Sequence, residues 1–176
     1  MKKFPSIYYF TALANLLFFL ANSFFILFPL YLKDLGASES YIGFMNSIDK
    51  ALVIFGSIYI GTIIHRFNPI KFLRLGYAIL FVTFGLYLCI FSLSPLVPFV
   101  RLLHGAGFAI AMILGTTIVF ESVPPERATE AIGLYGVTGA ISNAISPFLG
   151  EYLLSRGVSH HTIYAIALVL MGMAFL

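Results

Sequence analysis

Five polar side chains stand where hydrocarbon would be expected, and they define the chemistry open to this chain. Asp49 and Lys50 lie inside the apolar run Tyr41 to Ile64, Arg101 and His104 inside Val97 to Phe120, and Asn22 inside Ile7 to Leu32. At about 1.5 Å per residue, runs of this length cross a hydrocarbon core of roughly 30 Å as helices. A charge at the centre of such a helix costs on the order of 2.5–3.5 kcal/mol on insertion scales, so it faces a bundle interior or a wet cavity. Counted from one membrane face, Asp49 lies about 12 Å deep, His104 about 10 Å, Arg101 about 6 Å and Asn22 about 15 Å, so the four can share a layer. A carboxylate opposite a guanidinium keeps its charge, whereas one desolvated alone takes up a proton. Either state serves proton or cation handling, and the same pair can instead do no more than lock two helices. His104 is open between proton carrier and hydrogen-bonded packing residue. Asp49 and Lys50, as sequence neighbours, are expected to point apart and find partners on other helices.

The elements that must position these groups are legible in composition. Of 176 residues, 60% are hydrophobic and 10% charged, with a mean hydropathy of +1.00; soluble domains carry about 25% charged residues. The chain is read as an all-α integral membrane protein with the lipid bilayer as its solvent. Its net charge of +3 comes from basic residues scattered between apolar runs, which excludes a nucleic-acid face. A single cysteine, Cys89, gives no disulfide framework. His160 and His161 are adjacent loop residues without further ligands at suitable spacing, so no metal site is assigned. No zinc-protease helix, phosphate-cradling loop or nucleophile elbow is present; no enzyme and no cofactor is expected.

Six spans are expected, over about 7–32, 41–64, 72–91, 97–120, 131–154 and 162–176, joined by short polar turns. On the second, Gly43, Ser47, Lys50, Ile54, Ser57 and Gly61 share one face, whose small residues suit close helix contact; Asn46, Asp49 and Gly56 form the adjoining stripe. The third reads as packing. Gly107, Ala111 and Gly115 make a ladder on the fourth, and Ser142, Ser146 and Gly150, with Pro147, make another on the fifth. Lys2, Lys3, Arg66, Lys71, Arg74 and Arg127 fall on one side and Lys33 and Arg156 on the other, which orients the N-terminus to the cytoplasm. From Thr162 about 22 Å of helix remains, short of a full crossing, so a fragment with an absent partner half is expected.

Three stretches resemble the major facilitator superfamily (MFS) of secondary transporters, in order along nearly the whole chain. The loop after the second span is similar to the signature Gly-x-x-x-Asp-Arg-x-Gly-x-Arg-Arg/Lys through Gly61, Arg66 and Lys71, with His65, Asn68 and Ile70 differing. The fourth span resembles Arg-x-x-x-Gly-x-Gly through Arg101, Gly105 and Gly107, an arginine associated in some relatives with proton coupling. The fifth is similar to a glycine ladder called the antiporter motif through Gly133, Pro147 and Gly150, with Ser142 and Ser146 conservative in size and Glu151 departing. The resemblance implies the N-terminal six-helix half of a twelve-helix carrier, a 3+3 inverted repeat, a small-molecule substrate and alternating access. On this reading Asp49, Lys50, Arg101, His104 and Asn22 form the coupling site or substrate cavity, Gly61, His65, Arg66 and Lys71 a cytoplasmic gating loop, and Gly133, Ser142, Ser146, Pro147 and Gly150 a packing motif. Proton-coupled export through the cell membrane is the leading expectation. Uptake of a sugar or organic acid, or a non-transporting truncated subunit, are the alternatives.

Overall fold

The computed structural model describes residues 3–175. Lys2, one of the orienting charges, and Leu176, the last residue of the sixth span, lie outside the described residues. Six helical spans follow one another: α1 (Ser6–Asp34), α2 (Glu39–Ile63), α3 (Pro69–Tyr87), α4 (Leu96–Ser122), α5 (Ala128–Ser155) and α6 (His160–Phe175). The first five are long and apolar enough to cross a membrane; α6, as described, is shorter. Phe10, Phe55 and Phe148 are among many large apolar side chains on the outside, a surface suited to acyl chains rather than water.

Local chemistry fixes the boundaries. Ser38 Oγ accepts from the Tyr41 amide at 3.3 Å, and Asn68 Oδ1 from the Lys71 amide at 3.1 Å, so α2 and α3 start a few residues earlier than their apolar runs suggest. Pro69 occupies the first turn of α3, where its missing N–H costs nothing. The expected third span ran to Phe91, but the helix stops at Tyr87; Leu88–Phe91 continues as a tight turn that folds Ile90 fully inside. α1 and α5 end alike. Gly36 and Gly157 take φ of 84° and 81°, and the next amide reaches back to Leu32 O at 3.0 Å and to Leu153 O at 3.1 Å, the left-handed glycine termination of a helix. Within α1, Phe24–Leu27 tightens to a 3-10 turn just before Pro29, whose ring denies the preceding turn a donor.

Packing repeats. Helices begin at Ser6, Glu39 and Pro69, and again at Leu96, Ala128 and His160, about ninety residues on in each case. The main contacts are α2 with α4, α3 with α4, α1 with α5, α1 with α6 and α3 with α6. Exchanging α1 with α4, α2 with α5 and α3 with α6 maps that set onto itself, the pairing pattern of an inverted three-plus-three repeat.

The α1–α5 seam is a ladder of side-chain hydrogen bonds. Ser142 Oγ shares its hydrogen between Thr138 O of its own helix at 2.8 Å and Leu16 O at 3.1 Å, while Ser146 Oγ donates to Leu20 O at 2.8 Å, Asn15 Nδ2 to Thr138 Oγ1 at 2.7 Å and Ser23 Oγ to Asn143 Oδ1 at 2.6 Å. Gly150 lies under Leu27 and Phe24, where a Cβ would come within 2.5 Å of Leu27 Cδ1. Lipid is as apolar as leucine, so such seams rest on close packing and these bonds. Replacing Ser142 and Ser146 together by alanine is expected to destabilise the bundle by about 1.2 kcal/mol, at roughly 0.6 kcal/mol per bond. Unfolding in mixed micelles measures this, and no change would show the bonds to be replaceable by water or lipid headgroups.

Candidate functional site

Met45, Asp49, Gly56 and Ile60 lie on the stripe of α2 that packs against α4. Gly105 of α4 admits this approach: a Cβ there would stand 2.7 Å from Asp49 O and 3.0 Å from Leu52 Cβ. The closeness brings Arg101, one turn earlier on α4, level with Asp49. Arg101 Nη2 pairs with Asp49 Oδ2 at 3.1 Å, and the two residues are 3% and 4% exposed. Three further bonds bring four of the five N–H donors of Arg101 into use, with Nε on Met45 O at 3.3 Å, Nη1 on Tyr87 Oη at 3.3 Å and Nη2 on Asn46 Oδ1 at 3.2 Å. Phe28 presents its ring face 5.3 Å from the guanidinium.

His104, buried one turn further along α4, extends the network across the bundle. Its Nε2 lies 2.7 Å from Asn22 Oδ1, two residues before the tightened turn of α1, and its Nδ1 lies 3.0 Å from Tyr87 Oη. The Asn22 carbonyl oxygen accepts, so Nε2 carries the hydrogen and Nδ1 accepts from the Tyr87 hydroxyl. That assignment leaves the Tyr87 oxygen free to accept from Arg101. A continuous path of polar contacts therefore runs Asn22–His104–Tyr87–Arg101–Asp49, tying α1, α3, α4 and α2 together.

Beside this network lies a cavity of about 310 Å³. Asn22, Asn46, Asp49, Lys50, Arg101 and His104 supply its polar lining, and Phe25, Ile26, Pro29 and Phe108 its apolar wall. Asp49 Oδ2 serves two cations, Arg101 and Lys50 Nζ, the latter also at 3.1 Å, while Asp49 Oδ1 is buried and bonded to nothing. The expectation that Asp49 and Lys50 point apart is corrected. Their Cα–Cβ directions do diverge, but the four-carbon stem of Lys50 lets its ammonium swing back onto the carboxylate while the side chain remains 72% exposed.

The structure brings Asn22, Asp49, Lys50, Arg101 and His104 to one place. Tyr87, read as packing, belongs with them, and Asn46, known only as a stripe residue, holds Arg101. The signal for Tyr87 was a phenol near the end of an apolar span, since a buried hydroxyl needs a partner. Within this chain the small-residue face of α2 meets no other helix: a Cβ at Gly43 or Gly61 would meet nothing within 4 Å, and α4 takes the adjoining stripe. Gly61, His65, Arg66 and Lys71 lie exposed at the end opposite Lys33 and Arg156; the last three form no ion pair among the described residues. In α5, Ser142, Ser146 and Gly150 pack on α1 and Pro147 is half-buried, but Gly133 faces outward with nothing near it, so its packing role is corrected within this chain. His160 and His161 tie α6 to the other loops at their end of the bundle. His160 Nε2 lies 3.1 Å from Asp34 Oδ2, and His161 Nε2 lies 3.1 Å from Ile90 O, to which the Tyr31 hydroxyl also donates.

A multi-pass helical membrane protein with a buried ion pair opening on a cavity has the construction of a secondary transporter. The chain belongs to the Major Facilitator Superfamily, whose family model matches residues 11–176. It is 30% identical over 141 residues to a staphylopine export protein of Staphylococcus aureus, covering 77% of this chain and 34% of that protein. It is 25% identical over 135 residues to multidrug resistance protein 3 of Bacillus subtilis, covering 76% and 25%. It is 31% identical over 123 residues to a nitrate/nitrite transporter of Picosynechococcus, covering 66% and 21%. The chain spans about a third or less of the length of these relatives. Members of this family are transporters of small molecules across the bilayer.

Proposed function

We propose that this chain is the N-terminal six-helix half of a carrier that moves a small organic compound outward across the cell membrane by alternating access, coupled to a proton on Asp49. One observation carries the reading: Asp49 Oδ2 is held by two cations while Oδ1 is buried and bonded to nothing. A proton is the one ligand small enough for a carboxylate oxygen that is buried and unpartnered. Protonation removes the charge that pairs with Arg101 of α4, so it alters the contact between two packed helices.

The half assignment is supported by the two matched triples of helices and by the share of the relatives that the chain spans. A companion half would cover the open stripes of α2 and α5, including Gly43, Gly61 and Gly133. A cytoplasmic N-terminus is supported by Lys3, Arg66, Lys71, Arg74 and Arg127 at one end of the bundle against Lys33 and Arg156 at the other. Export follows the names of two relatives, a staphylopine exporter and a multidrug resistance protein. Uptake of an organic acid is a second reading, favoured by the exposed ammonium of Lys50 at the cavity and by the nitrate/nitrite relative.

In proteoliposomes bearing the complete carrier, Asp49→Asn is expected to abolish the response of transport to an imposed pH gradient, and Asp49→Glu to keep part of it. Transport by Asp49→Asn that follows the gradient as the parent does would remove Asp49 from coupling.

A further inference from the structure

The cavity's ionic groups differ in what can reach them. Arg101 spends four of its five N–H donors on Met45 O, Tyr87, Asn46 and Asp49, and its side chain, though part of the cavity wall, is only 4% exposed. Lys50 has one partner, Asp49 Oδ2, and its side chain is 72% exposed at the cavity. An ammonium offers three donors, so two remain for a ligand. Asp49 Oδ1 is the converse case, an acceptor with no partner and no room. The available cation is accessible and the available anion is not.

We infer that the cavity takes a small organic carboxylate on Lys50 Nζ, with its apolar body against Phe25 and Phe108, and takes it together with a proton on Asp49. The proton part rests on the reading of Asp49 proposed above; the carboxylate part does not. The groups that bear on Asp49 are Lys50 and Asn46 on its own helix and Arg101 and His104 on α4. Tyr87 of α3 bonds both Arg101 and His104, Asn22 of α1 bonds His104, and Tyr164 of α6 packs against Tyr87. No second carboxylate is among them, so the empty cavity holds two cations against one anion. A ligand carboxylate draws Lys50 from Asp49 and adds a negative charge beside it. A proton on Asp49 offsets the charge that the ligand brings. Ligand and proton thus reinforce one another, and the loaded cavity has the same net charge as the empty one, so helix rearrangement brings no additional charge into the hydrocarbon. A carboxylate loaded this way travels with its proton, outward when the acid accumulates inside, which fits export without requiring exchange.

The test compares phenylacetate, 2-phenylethanol and 2-phenylethylamine, alike in shape and differing in charge, by calorimetric titration of the purified complete carrier. Phenylacetate is expected to bind best, and Lys50→Gln to weaken it by about tenfold while Lys50→Arg keeps it, the scale of one charge-assisted bond. Titrations in buffers of different ionisation enthalpy are expected to show uptake of about one proton per ligand, absent in Asp49→Asn. Preference for the amine or the alcohol, binding of none of the three, or indifference to Lys50→Gln overturns the carboxylate assignment. Phenylacetate binding that needs Lys50 but takes up no proton overturns joint loading and also weakens the proposed proton site. Amine preference with an intact pH response in transport leaves that site standing, so the two failures are distinguishable.

Discussion

Arg101→Met is expected to destabilise the bundle by about 3–5 kcal/mol, the cost of removing one partner from a buried ion pair. The substitution nearly preserves volume, so packing is a minor part of the loss. What remains is the Asp49 carboxylate, 4% exposed, with Oδ1 already unpartnered and only the mobile Lys50 on Oδ2. Met45 O, Asn46 Oδ1 and the Tyr87 hydroxyl lose their donor in the same step. Unfolding in mixed micelles gives the magnitude, and the double variant Arg101→Met/Asp49→Asn separates its sources. Neutralising Asp49 as well is expected to recover more than half of the loss, because the largest part belongs to the stranded charge. A loss below about 1 kcal/mol in the single variant would mean that Asp49 is protonated or hydrated and that the pair contributes little.

Gly105→Ala is the second large effect, expected at about 1–3 kcal/mol despite adding one methyl group. The new Cβ would lie 2.7 Å from Asp49 O and 3.0 Å from Leu52 Cβ. Backbone cannot rotate aside as a side-chain tip can, so α2 must move off α4, carrying Asp49 away from Arg101. Loss of phenylacetate affinity in the same variant would register that movement. Gly85→Ala in α3 is the control. A Cβ there meets nothing within 4 Å, and a helical glycine replaced by alanine gains up to about 1 kcal/mol from propensity alone. If both variants behave alike, the close approach of α2 and α4 is not a constraint on the fold.

Much of this arrangement was legible in the residues. The six spans follow from apolar runs and turn chemistry, displaced by a few residues where Ser38 and Asn68 cap their helices earlier than hydropathy changes. The meeting of Asp49 and Arg101 follows from opposite charge and from depths about one helical turn apart, which a guanidinium on its long stem can bridge. Depth says nothing about side-chain reach, which is why the Lys50 ammonium was placed away from Asp49. Helix periodicity groups residues into stripes but does not say which stripe meets a neighbour. The small-residue stripe through Gly43 and Gly61 was therefore favoured over the one through Met45 and Asp49, although the glycine that admits contact lies on the other helix, at Gly105. Tyr87 escaped notice because an aromatic residue in an apolar span is ordinary filling until a guanidinium and an imidazole are placed on its hydroxyl.

The inverted repeat makes the α2–α4 and α5–α1 seams counterparts in backbone arrangement, yet they are fastened differently. Along α5–α1 the fastenings are hydroxyl and amide groups of Ser142, Ser146, Asn15 and Ser23, which hold the same form at every physiological pH. Along α2–α4 the fastening is Arg101 of α4, which pairs with the Asp49 carboxylate and bonds Met45 O and Asn46 Oδ1 of α2. One side of a symmetric scaffold is therefore fastened by several independent neutral groups and the other through a single guanidinium, so the loss of one side chain undoes every polar contact named across the second seam and only one of those across the first.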